Sequence, residues 1–188
     1  MHLPVAFREW YAPSEPQAAR AVAVADAWID SWNPATNRGA DANLKVRSGG
    51  VYKALVRAEL LPQIMGRLVV QAVLNVWVET RTNAGTGTLR AYRLLRAWNE
   101  DTVTWNVPWA GPGATDNTDV LAIADGSAAL NVVGQWLSVE VTGAVQAWAS
   151  GAANHGLLLV YESSASTVYE LASRSRTGKE PIPEIRYC

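Results

Sequence analysis

From Ala21 onward the chain is cut into short apolar or alternating segments by turn residues, and this rhythm confines it to an all-β fold. AVAVADAWID (21–30) stops at Asn33–Pro34. In NLKVRS (43–48), Leu44 and Val46 take one face, Lys45 and Arg47 the other. Gly49–Gly50 is a hairpin signal before VYKALVRAEL (51–60). LVVQAVLNVWVET (68–80) groups Leu74, Val76 and Val78 and turns Asn75, Trp77 and Glu79 the opposite way. LRAYRLL, WLSVEV, GLLLVYE and IPEIRY read as further strands, and the span from Trp98 to Asp119 as a long loop. One segment differs: in VTGAVQAWASG, Val141, Val145 and Trp148 share a helical stripe. With Thr142 as N-cap and Gly151 as stop, it predicts one short helix. About eight to ten short strands with regular turns mean a sandwich rather than a parallel α/β sheet.

The chain of 188 residues suits one domain with an N-terminal extension over residues 1–20 and a β-sandwich over 21–188. Pro4, Pro13 and Pro16 punctuate the extension, and SEPQAARA reads as a polar linker. Within HLPVAFREW, Leu3, Val5 and Phe7 alternate with other residues, and Trp10 follows. This segment could pack along the domain or be offered as a strand to a neighbour. Sixteen basic against 17 acidic side chains argue against nucleic acid as the partner, and no apolar run approaches bilayer length. The N-terminus lacks the basic and apolar pattern of a signal peptide, so the chain is either cytoplasmic or starts near a mature end. Cys188, the only cysteine, excludes an intrachain disulfide and could pair with another chain.

Four motifs in order resemble the DNRLRE domain family, which is also classified among carbohydrate-binding modules. They are ADAWIDSWNPATNRGADANLKV (25–46), WNEDTVTWN (98–106), WLSVEVTGAVQAWASGAANHGLLL (136–159), and ASRSR (172–176) with the closing PEIRY. The resemblance covers residues 24–187 and implies a jelly-roll-like β-sandwich on an extracellular or cell-surface protein. It departs from the family at YKALVRAEL (52–60), where Ala58 stands in place of a common aromatic. The resemblance also implies that Trp98, Trp105, Trp136 and Trp148 are core. Glu100 is then expected to accept backbone or threonine hydrogen bonds.

Catalysis finds little support. The two histidines are His2, in the extension, and His155, in a turn, and no nucleophile, P-loop or zinc motif is present. Glu100 and Asp101 are the nearest approach to a glycosidase carboxylate pair. A structural calcium ion is an option, because Asp116, Asn117 and Asp119 lie within four residues, and Asp26, Asp41 and Asn43 supply further oxygens. Asp and Asn are also ordinary turn residues.

Nine tryptophans against one phenylalanine suit glycan recognition, since a flat aromatic face packs on sugar C–H groups. Trp28, Trp32, Trp77 and Trp109 are the candidate stacking residues, with Asp30, Asn75 or Arg47 adding hydrogen bonds. Two functions are open. One is a non-catalytic module binding a surface or matrix polysaccharide. The other is a structural subunit of a filament, sheath or layer, joined to copies of itself through Leu3, Val5, Phe7 and Trp10 by strand addition.

Overall fold

In a computed structural model, which describes residues 15–188, the alternating segments form eleven strands and one helix. The strands are β1 (Gln17–Arg20), β2 (Val22–Asp30), β3 (Asn43–Arg47), β4 (Tyr52–Glu59), β5 (Val69–Arg81), β6 (Gly87–Arg93), β7 (Gly126–Leu130), β8 (Gln135–Glu140), β9 (Leu157–Glu162), β10 (Val168–Ala172) and β11 (Ile182–Tyr187). The helix, α1 (Thr142–Ala149), precedes β9. All pairings are antiparallel, and the fold is all-β and sandwich-like, as expected. The expected partner residues Leu3, Val5, Phe7 and Trp10, and His2, lie outside the described residues.

The strands make one antiparallel network that curls into two layers. The first layer runs β2-β4-β9-β6-β7; the second contains β3-β10-β5-β8, with β11 and β1 extending it beside the first half of β5. Inward residues of both layers, among them Val56, Leu159, Leu44, Val76, Val78 and Leu171, share one hydrophobic cluster.

The first layer is buried on both sides. Its outer residues, including Ala27, Ile29, Leu55 and Leu158, pack under Leu94, Trp98, Val103, Trp109 and Ala114 of the loop between β6 and β7. Burying an aromatic ring or large aliphatic side chain is worth roughly 1.5–3 kcal/mol. The long loop is therefore a third layer of structure rather than a mobile connection.

Three local expectations change. Gln17–Arg20, read as linker, forms β1 and pairs with β11 from Gln17↔Tyr187 to Arg20↔Glu184. GSAAL and VYELA, not singled out in the sequence, form β7 and β10. Val141 is the N-cap of α1; Thr142 is its first residue, and its hydroxyl bonds the Ala72 N–H at 2.7 Å and the Glu140 carboxylate. Gly151 does follow the helix, with a positive φ of 100° that a side chain would strain.

Candidate functional site

The second layer leaves one face in solvent. Its alternation points Leu74, Val76 and Val78 inward, so Val73, Asn75, Trp77 and Glu79 point outward. The β5–β8 register sets Trp77 opposite Trp136 and Asn75 opposite Ser138. The indoles meet edge to face, centroids 5.5 Å apart at 78°. The Ser138 hydroxyl donates to Asn75 Oδ1 at 2.5 Å. Trp136, expected in the core, is 40% exposed. Trp77 is half-buried, with the Lys179 ammonium 4.8 Å above its ring and the indole N–H without a partner among the described residues. Lys179 is held there by Glu79 at 3.2 Å.

Beside Trp136 lies an open cleft of about 460 Å³ lined by Arg20, Asn75, Gly178, Ile182 and Glu184. A second hollow shares Arg20 and Glu184 and continues past Ala18, Gln71 and Val73. Together they form a trough on the outer face, with an indole at one end and amide and ion-paired groups along it. Arg20 and Glu184 pair at 2.7 Å across the shared part. Aromatic surface beside paired polar groups can stack on a sugar and exchange hydrogen bonds with its hydroxyls.

The other candidate tryptophans divide. Trp28 is only 4% exposed; its indole donates to Asp41 Oδ2 at 2.8 Å under the Arg38 and Lys45 cations. Trp109 is 7% exposed and donates to the Thr104 carbonyl at 2.9 Å. Neither offers a face to solvent, which removes both from the stacking set. Trp32, by contrast, is 59% exposed. Asp30 is buried and accepts from the Trp32 N–H, so it positions a loop rather than a ligand. Trp98 and Trp148 are core, while Trp105 is half-buried beneath the Lys53 ammonium.

Carboxylates proposed for other chemistry are engaged by protein donors. Glu100 Oε1 accepts the Asp26 N–H at 2.9 Å, and its carboxylate takes a two-point ion pair from Arg174 at 2.8 and 2.5 Å. Burial opposes the Glu100 charge, but Arg174 and the Asp26 N–H outweigh it and hold the pKa below the ordinary value. Asp26 itself is buried, accepts the Arg174 N–H at 2.6 Å, and has its pKa pushed up by burial to about 6. Asp119 accepts the N–H groups of Ala110 and Gly111, each at 2.9 Å, and pairs with Arg96. Asp116 accepts the Thr118 N–H and hydroxyl. Among the described residues no group of three or more His, Cys, Asp or Glu is placed to hold a metal ion. The aspartates expected as calcium ligands instead tie loops together. His155 is a turn residue, and its carbonyl accepts the Trp98 indole N–H at 2.7 Å.

A family model described as carbohydrate-binding module family 96 matches residues 17–187. The chain belongs to this family. Membership bears out the binding-module class expected from the four motifs, under a family description other than DNRLRE. The match begins at the first residue of β1, inside the segment read as linker.

Among curated proteins, this family 96 chain is 27% identical over 177 residues to the tRNA nuclease WapA of Bacillus subtilis strain 168. It is 28% identical over 177 residues to the tRNA3(Ser)-specific nuclease WapA of Bacillus spizizenii. Each alignment takes in 86% of this chain but only 7% of the relative, so the chain spans a small part of those proteins.

Proposed function

We propose that this family 96 domain is a non-catalytic module of an extracellular or cell-surface protein, and that it holds a polysaccharide in the trough beside Trp136 and Trp77. The observation that carries this reading is the indole pair on the solvent face of the second layer, where polar side chains would suffice for solubility. Stacking supplies affinity with little loss of rotamer freedom, and Asn75, Arg20 and Glu184 supply hydrogen-bonding groups along the trough. The nuclease activity in the relatives' names belongs, on this reading, to other parts of those much longer chains. The purified domain should leave tRNA intact.

The direct test is affinity electrophoresis in gels containing soluble xylan, β-glucan, pectin or alginate. The wild type should be retarded by at least one polymer, and Trp136→Ala with Trp77→Ala should abolish that retardation. A folded double variant that migrates like the wild type overturns the reading.

A second reading, a self-assembling structural subunit, draws on one observation. Val22 is 70% exposed on β2, which among the described residues pairs only with β4. An edge of this kind can accept an apolar strand such as residues 3–10 of a neighbour. Deletion of residues 1–12 should then abolish polymers seen by light scattering; polymers that persist rule it out.

A further inference from the structure

We infer that the domain grips a long polysaccharide at two separate places, the second being a preorganised stacking site on Trp32. This inference rests on the polysaccharide reading above. Trp32 follows β2 and is one of the most exposed large apolar side chains described. Exposure alone would mean little, because single surface apolar residues are common. The support beneath this ring is what sets it apart.

Asp30, only 1% exposed, spends its carboxylate on the loop. Oδ1 accepts the Trp32 N–H at 2.9 Å, and Oδ2 accepts Asn33 Nδ2 at 2.8 Å and pairs with Arg38 at 3.4 Å. A buried carboxyl group without such partners would be costly, so the turn and the Asp30 side chain hold one another in place. The ring is fixed as well. The Arg47 guanidinium lies 4.2 Å over it, and Tyr52 meets it edge-on at 5.5 Å. Tyr52 in turn packs edge-on against buried Trp28 at 5.0 Å. Trp32 is thus an exposed indole seated on an aromatic and cationic stack that is rooted in the core. Such a ring is ordered before any ligand arrives, which lowers the entropic cost of stacking on it.

The site cannot serve the sugar bound at Trp136. In the order β3-β10-β5-β8, Arg47 and Trp136 are three strand spacings apart, roughly 14 Å. Arg47 is level with Val168, about five residues along β5 from Trp77, or roughly 16 Å. The two contacts are therefore about 20 Å apart, farther than one sugar ring reaches. Between them run the ion-paired rows Lys45–Glu170 and Lys179–Glu79, which a chain can cross without a buried unpaired charge. Once one contact forms, the second becomes intramolecular, so affinity should depend on polymer length.

The test uses the polymer that retards the wild type, together with a trimer prepared from it, in gel retardation and calorimetry. Trp32→Ala should weaken polymer binding about tenfold or more and leave trimer binding unchanged, whereas Trp136→Ala should weaken both. Trp32→Phe, which keeps a stacking ring, should recover part of the loss. Unfolding midpoints confirm that each variant is folded. If Trp32→Ala binds polymer like the wild type while Trp136→Ala does not, the second site is wrong and the trough survives. Equal loss of trimer and polymer in Trp32→Ala also refutes two separate sites. If neither variant changes binding, the polysaccharide trough itself falls, and the inference with it.

Discussion

Replacing Asp26 with Asn should change the pH dependence of stability in a direction opposite to that of most carboxylates. Asp26 is 2% exposed, and burial raises its pKa from 3.8 to about 6, despite the Arg174 N–H that favours its charge. Between these values the folded protein binds a proton that the unfolded chain has released. The contribution of Asp26 to stability therefore falls as pH rises from about 4 to about 6, and that loss is complete at pH 7. A difference of a little over two pH units, at about 1.4 kcal/mol each, makes the penalty about 3 kcal/mol. Asn keeps the shape, and its amide oxygen can still accept the Arg174 N–H, but it carries no charge to desolvate. Urea unfolding at stepped pH gives stability for both proteins, and the useful quantity is variant minus wild type. That difference should climb by about 3 kcal/mol between pH 3.5 and 7. Subtraction matters because Glu100, Asp116 and Asp119 have lowered pKa values and pull the other way. A flat difference curve, or one that falls with pH, refutes the reasoning.

Lys53 offers the converse case: burial lowers its pKa from 10.5 to about 8 while its ammonium donates to the Gly113 carbonyl at 2.7 Å. Between pH 8 and 10.5 the folded protein holds fewer protons than the unfolded chain, so wild-type stability should rise relative to Lys53→Met by up to about 3 kcal/mol, read from paired urea titrations. Gly39→Ala should lose about 1–3 kcal/mol in the same assay, because its new Cβ would lie 2.1 Å from the Glu100 carbonyl oxygen and push the long loop outward. Chelator or added calcium should leave the thermal midpoint unchanged, because protein donors already occupy Asp116 and Asp119; a shift of several degrees in differential scanning fluorimetry would show a site the hydrogen bonds do not suggest.

Period-2 alternation made the β5 face legible, and it placed Trp77 outward because Leu74, Val76 and Val78 had to point in. The same pattern could have found Trp136. It is in phase with Ser138 and Glu140, and the apolar phase of that strand is Leu137 and Val139. The motif resemblance had placed it in the core instead. The burial of Trp28 and Trp109 is hidden from the pattern for a different reason. Alternation describes one strand against one core, whereas the first layer is covered on both faces and the loop beyond β6 brings its own aromatics to the outer one. The latch of Asp26, Glu100 and Arg174 joins residues 74 and 148 positions apart, a distance over which no local pattern carries information. GSAAL carries no strand signal because its side chains are small, and its pairing with β6 depends on the neighbour rather than on propensity.

The pairing of Gln17 with Tyr187 has a mechanical consequence. The first residue of β1 and the last of β11 leave the domain side by side. In a longer polypeptide under tension, force at these two points would pull the strands apart crosswise. The hydrogen bonds of the β1–β11 ladder would then open one after another instead of sharing the load in shear. Under single-molecule stretching such a domain should yield at low force, paying out chain from its N-terminal strand first, and with that strand would go Arg20, whose pair with Glu184 lines the trough.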